Sequence, residues 1–223
     1  MADPNELLPL FPLSTVVLFP QVQAPLHLFE PRYRQMAEHV LTGDRCIGMV
    51  VARPGFADEM ADDPPVFDVG CIGQIVHARK LPDGRYNIVL EGTHRLRIER
   101  ETVRPPDRLY RIAEVRHLDD PFDPADAPRV AELRDRVIDL VSQLMRRSEP
   151  DRVGEFSAEL FREVDDTTFV NSLSNALGFP PEEKQGLLEA DGIPARIERL
   201  EGNLSFRLAE QAAVKQPKSG CLH

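Results

Sequence analysis

The residues in this 223-residue chain that could carry chemistry are scattered, and their spacing assembles no known reactive unit. His27, His39, His77 and His94 occur singly, and none of the six histidines is followed by glutamate, so the zinc-protease helix motif is absent. No glycine precedes a lysine, which removes the phosphate-cradling P-loop and a dedicated nucleotide site. No serine has glycine as both second neighbours, so there is no nucleophile elbow. Cys46, Cys71 and Cys221 are far apart and form no C-x-x-C pair. Such an odd, sparse set reads as reduced thiols of a cytoplasmic protein, with Cys46 and Cys71 in apolar segments as core residues. The acidic run at Asp58-Glu59 and Asp62-Asp63 lies in a Pro/Gly-rich stretch and reads as a solvated loop rather than a metal site. Asp119-Asp120 and Asp165-Asp166 fall at element boundaries, where capping explains them. Neither a metal nor a cofactor is expected.

Charge narrows the choice of partners. The net charge is −10, made of −4 over residues 1–120 and −6 over 121–223. Neither half is a basic module, and binding to a phosphate backbone needs clustered Lys and Arg. The local exception is Arg79, Lys80, Arg95 and Arg97, which would form a small basic patch if they shared a face. No apolar run reaches the length of a membrane span, and the acidic, Pro-rich start is unlike a signal peptide.

The elements that would position these groups are organised around Pro25-Leu26-His27-Leu28-Phe29-Glu30-Pro31-Arg32-Tyr33-Arg34-Gln35-Met36. Pro25 favours an extended entry, and Pro31 suits a first helical position. Tyr33, Met36, Ala37, Val40 and Leu41 follow at helical spacing, with Gly43 placed to close the helix. The stretch reads as a strand feeding a short amphipathic helix, with Glu30 at the positive end of the helix dipole. Phe29 and Tyr33 are four residues apart and Met36 continues the same line. The expectation is a core position for Phe29 and a more open one for Tyr33. Arg32 and Arg34 are expected to face solvent or to pair with Glu30 and Glu38.

Around this junction, Leu8–Leu13, Val16–Pro20, Cys46–Ala52, Ile72–Lys80, Tyr86–Glu91, Leu96–Glu99 and Tyr110–Val115 read as short strands. Leu81-Pro82-Asp83-Gly84-Arg85 is turn chemistry and makes 72–91 a hairpin, with Gly92 at a bend or bulge. The pattern predicts an α+β chain: a curved β-domain over 1–120 with one embedded helix, a Pro-rich linker over 121–128, and an all-helical bundle over 129–213. Residues 214–223 read as a disordered tail. In the helical half Val130, Leu133, Val137, Leu140, Val141 and Leu144 keep a 3.6-residue period. Asp166 is placed to cap a later helix, and Pro194 to open the last.

Leu8–Leu13, Leu18-Phe19-Pro20, Pro25–Met36, Ile47-Gly48-Met49-Val50, Asp68–Gly73, Leu81–Arg85 and Leu90–Ile98, taken as an ordered series, resemble the N-terminal domain of Lon proteases. The 25–36 run resembles stand-alone bacterial LON-domain proteins and LON-domain RING-finger proteins more than Lon itself. The likeness covers about residues 7–120 well and the helical half more loosely, chiefly over Ser172 to Leu188. It implies a PUA-like pseudobarrel with a helical extension, a family role in engaging protein substrates, and no catalytic residue. The Walker motif and Ser–Lys peptidase domain of Lon are absent from the sequence, as are the cysteine pairs of RING fingers. The resemblance therefore implies a non-enzymatic protein-binding module, with Phe29, Arg32, Tyr33 and Met36 as candidate binding residues. Its partners would be unfolded or apolar protein segments, or a protease or chaperone that it serves as an adaptor, and self-association stays open. The competing reading is an RNA-binding module using Arg79, Lys80, Arg95 and Arg97, because PUA-like folds include RNA binders; the overall charge opposes it.

Overall fold

The computed structural model describes residues 6–56, 60, 63–148 and 158–214. The chain divides into two units: residues 1–119 with 171–189, and residues 120–170 with 190–223. The helical half is thus not the single bundle that its periodicity suggests, because Asn171–Glu189 groups with the strands.

The first unit is built on six strands: β1 (Glu6–Leu13), β2 (Gln23–Leu28), β3 (Cys46–Val51), β4 (Val69–Lys80), β5 (Tyr86–Glu101) and β6 (Ile112–Leu118). Their order is β2-β5-β4-β3-β1-β6, and a further β5–β6 pairing closes five of them into a ring. β1 and β3 run parallel (Leu10 opposite Gly48), which requires a crossover, and β2 with α1 (Pro31–Val40) supplies it. One 16-residue strand serves three neighbours: β5 pairs with β2 along Tyr86–Glu91, with β4 along most of its length, and with β6 from Arg95 to Glu101. Register shifts at Ile72/Gly73, Ile75/His77 and Ile98/Arg100 give the curvature that closure demands.

Gly92 sits at the first of these shifts, as its position in the sequence suggests. A Cβ there would lie 2.1 Å from the carbonyl oxygen of Phe19. The Gly92 amide donates to the Val22 carbonyl (2.9 Å), and its carbonyl accepts from Gln21 (2.7 Å). These bonds draw the preceding segment against β5. Val16–Pro20 accordingly forms no strand, although Val17, Leu18 and Phe19 are buried. The chain turns through a left-handed Gln21 (φ 63°) before β2 begins.

Successive residues of β1, β3 and β4 feed two different apolar clusters. Phe11, Ile47, Met49, Cys71 and Ile75 join α1 and Leu28, while Leu8, Leu10, Val50, Ile72, Leu96 and Val115 form the second cluster. Both faces of these strands are buried, which is why the sequence there is nearly continuous in apolar residues rather than alternating. α1 ends at Val40, and the left-handed residue after it is Arg45 (φ 66°) rather than Gly43.

The second unit contains a 3-10 turn at Pro124–Asp126, α2 (Ala127–Ser148), α3 (Ala158–Glu163), the start of α4 (Asp166–Ala176) and α6 (Gly192–Val214). The expected linker is thus partly helical, with Asp123 Oδ1 accepting from the Ala125 amide. Val130, Leu133, Val137 and Val141 of α2, and Ile197, Leu200, Leu204 and Leu208 of α6, are buried. The pairings Arg129–Glu198, Arg136–Glu201 and Arg147 to the Leu208 carbonyl advance together, so the two helices run parallel. α6 opens at Gly192 (φ 81°), two residues before Pro194. The cap ahead of α4 comes from Asp165, which accepts from the Thr168 amide and hydroxyl, and those bonds lower its pKa. Asp166 is held by Arg134 instead. α5 (Pro181–Glu189) belongs to the first unit. The disordered tail expected from Val214 begins inside α6, which includes that residue; residues 215–223, and Asp58, Glu59 and Asp62 of the acidic run, lie outside the described residues.

Gly92→Ala tests the bend directly. The added methyl meets backbone rather than a movable side chain, so the loss in stability should reach about 3 kcal/mol, the upper end of overpacking penalties. Urea unfolding measures it, and an unchanged midpoint would show that β5 does not need this close approach.

Candidate protein-binding site

The junction of β2 and α1 follows from two different periodicities meeting at Glu30. In β2 alternate side chains point to opposite faces, so Leu28 enters the core while His27 and then Phe29 point out. Helical geometry begins only at Pro31. Phe29 is 60% exposed, against 4% for Tyr33 and 0% for Met36. The expectation that Phe29 is core is therefore overturned, and the three residues do not share a face. A four-residue spacing brings two side chains together only where all the intervening residues are helical.

Tyr33 and Met36 belong to the core. The Tyr33 ring stands edge-on to Phe11 with centroids 4.5 Å apart, and its buried hydroxyl has no hydrogen-bond partner. Burial pushes the Tyr33 phenol up to about 12, with the Arg32 charge opposing that shift. Arg32 lies over the Tyr33 ring (4.6 Å to the centroid), donates to Glu30 Oε2 (2.9 Å) and the Met60 carbonyl, and faces Asp63 at 3.6 Å. The expected Arg32–Glu30 pairing is present. Arg34 donates to the Gly84 carbonyl (2.8 Å) instead of pairing with Glu38. Glu38 takes Lys80 (2.8 Å), and the bond from Lys80 lowers its carboxyl pKa.

A second layer ties α1 to the loop before β6. Gln35 donates to the Asp107 carbonyl (2.8 Å) and accepts from the Leu109 amide (2.7 Å). His39 Nδ1 lies 2.9 Å from the Tyr110 hydroxyl and 3.0 Å from Arg108. These clamps escape a sequence reading, since Gln35 and His39 are ordinary polar helix positions until the loop is in place.

What the junction leaves to solvent is Phe29 with His27. Their rings stack at 6.2 Å and 24°. His27 Nδ1–H donates to Asn87 Oδ1 (2.6 Å), and Nε2 accepts from Arg85 (3.3 Å). The imidazole is fixed in one orientation, and the phenyl ring beside it is an exposed apolar surface on a rigid support.

The alternative basic patch does not assemble. Arg95 is 2% exposed, and its guanidinium donates to the Leu188 (3.1 Å) and Asp119 (2.8 Å) carbonyls. Lys80 is taken by Glu38 and lies over the Tyr86 ring. Arg79 pairs in register with Asn87 near the 81–85 turn, whereas Arg97 pairs with Val69 at the far end of the β4–β5 ribbon. Among the described residues no three His, Cys, Asp or Glu groups could hold a metal ion, and no helix is long and apolar enough to cross a membrane. The Cys71 thiol is buried and donates to the Ile72 carbonyl (3.5 Å); Cys46 is half-buried, and burial, with Asp44 and Glu6 nearby, pushes it up to about 11.

A mixed six-stranded sheet closed through one long strand, with an embedded helix and a C-terminal helical region, is the α+β fold seen in Lon N-terminal domains. The N-terminal domain of Mycobacterium avium complex Lon protease superposes with a TM-score of 0.66 at 16% identity, over 90% of this chain and 98% of that one. A Lon N-terminal domain protein from Xanthomonas campestris gives 0.59 at 24% identity, with the same coverage. The family model of the ATP-dependent protease La (LON) substrate-binding domain matches residues 7–204, and the chain belongs to that family. Among curated relatives, the Lon protease of Rhizobium meliloti is 27% identical over 216 residues, which are 94% of this chain and 26% of the relative. That of Flavobacterium johnsoniae is 25% identical over 189 residues, 85% and 22% respectively. The chain spans about a quarter of the length of the curated relatives it matches.

Two stability measurements check the site's geometry. Phe29→Ala should change unfolding free energy by less than about 0.5 kcal/mol, as exposed substitutions do, while Met36→Ala should lose about 2–5 kcal/mol. Equal losses would place Phe29 in the core after all. The second concerns pH. Tyr33 ionises near 10 when unfolded and near 12 when folded, so its contribution is complete below pH 10 and is lost as pH rises toward 12. The loss is about 1.4 kcal/mol per pH unit in that window. Tyr33→Phe should flatten the fall relative to the parent chain, and an unchanged slope in urea unfolding across pH 10–12 would contradict the burial of the hydroxyl.

Proposed function

We propose that this chain is a non-catalytic protein-binding module that recognises exposed apolar segments of unfolded or partly folded proteins. The observation that carries the reading is Phe29, an aromatic ring 60% exposed on a rigid strand end within the region matched to the LON substrate-binding domain. Exposed aromatic anchors with polar rims are where binding energy concentrates in protein interfaces. Arg32 and Glu30, which follow the ring in the chain, form an ion pair that can supply a charged rim, and Tyr33 and Met36 belong to the core. In this reading the module acts in the cytoplasm as an adaptor that delivers substrates to a protease or chaperone. No observation favours the RNA reading, since Arg95 is buried and Lys80 is paired.

The test is equilibrium binding of a permanently unfolded, reduced and alkylated protein, followed by calorimetry at low and high salt. Saturable binding that persists at high salt and is lost with Phe29→Ala is expected. Binding of RNA that collapses with salt, with none to the unfolded protein, would overturn the proposal.

A further inference from the structure

The outward face of the β2–β5–β4 ribbon carries side chains that the fold does not use. The register sets Pro25 opposite Val89, and Val89 opposite His77, in one cross-strand row. Val76 is the extra residue of the β4 bulge at this row and is 45% exposed. The neighbouring row is His27–Asn87–Arg79, and Phe29 stacks on His27 at its end. Pro25, Val89 and Val76 thus give this face an apolar strip, Phe29 lies beyond the polar row next to it, and Ile88 and Leu90 of β5 turn inward. Strand addition along β2 itself is disfavoured. The Gly92–Val22 hydrogen bond sets the phase of the β2–β5 ladder, so Pro25 lies at a position directed away from β5 and its missing N–H interrupts the free edge. A partner would lie on the face instead.

Charge selects the partner. Glu91 on this face accepts from Gln23, and Asp83 holds Arg85. Gln23 is neutral, so Glu91 keeps its charge four residues along β5 from the row that holds Arg79; among the described residues no carboxylate pairs with Arg79, and the unpaired cation beside the strip is its guanidinium. One cation on a chain of net charge −10 attracts a polyanion poorly but suits one carboxylate. We propose that this face binds a polypeptide segment in which two apolar side chains, one seated on Phe29 and one on Val76, flank an acidic residue that reaches Arg79. The inference rests on the protein-binding reading above and adds the chemistry of the segment.

The experiment is fluorescence anisotropy with two rhodamine-labelled Leu/Ser peptides that differ only in carrying Asp or Lys. The Asp peptide should bind more tightly by roughly fivefold, the reach of one exposed ion pair. Arg79→Glu should invert that preference, and Phe29→Ala should weaken both peptides by roughly tenfold. Val103→Ser, an exposed control on the loop before β6, should change neither. Binding of the unfolded protein with no Asp/Lys discrimination, or with Arg79→Glu silent, overturns this assignment and leaves the general reading standing. Failure of the unfolded protein itself to bind removes the general reading. Displacement of the Asp peptide by a single-stranded oligonucleotide at physiological salt assigns the face to nucleic acid and overturns the proposal.

Discussion

The sheet of this domain closes only because β5 can bond to three strands, and it can do that only by bending where Phe19 crosses it. At Gly92 the strand accepts a backbone carbonyl at a distance that no side chain permits. Thr93 follows as the bulge residue, and its hydroxyl donates to the Ile72 carbonyl (3.1 Å) at the register shift. The first half of β5 then serves β2 and the second half serves β6. The position of α1 depends on this, because β2 hangs on the first half and leads directly into the helix.

Closure by bends and irregular crossings leaves main-chain carbonyls that no ladder reaches, and arginines satisfy many of them. Arg95 takes Leu188 and Asp119, Arg111 takes Pro64, Arg134 takes Phe161 and Val164, Arg53 takes Val66, and Arg34 takes Gly84. A planar fork with five donors can serve a carbonyl and a carboxylate or a ring at once. Arg134 shows this, with Asp166 on one side and the Phe169 ring 4.5 Å from its guanidinium carbon. In a sequence, such residues are indistinguishable from a basic patch. Arg95 and Arg97 look alike on an alternating strand, yet one is buried as a carbonyl clamp and the other is exposed.

The elements themselves were legible where local chemistry decides them. The 81–85 turn, the Pro31 helix start, the Gly92 bulge and the 3.6-residue period of α2 all stand where their residues place them, although β5 runs through Gly92 as one strand. The misreadings are nonlocal. Val16–Pro20 has strand composition but gives its position to the Gly92 crossing, and Asn171–Glu189 has helix periodicity but groups with the strands. Phe29 fails for a different reason: strand parity sends it outward, and the helical spacing that would turn it inward starts two residues later.

That phase change has a consequence for recognition. Within 25–36 the inward strand residue Leu28 and the helical residues Tyr33 and Met36 are fixed by the core, while Arg32 and Arg34 are fixed by carbonyls. The residues free of these duties are the outward strand positions Pro25, His27 and Phe29. A change at one of them alters the surface without opening a cavity or orphaning a carbonyl, whereas a change at Tyr33 or Met36 alters the fold. The 25–36 stretch therefore contains two interleaved sets of residues with different physical constraints. A binding surface placed on the outward set can differ from one such domain to another while the junction beneath it stays the same.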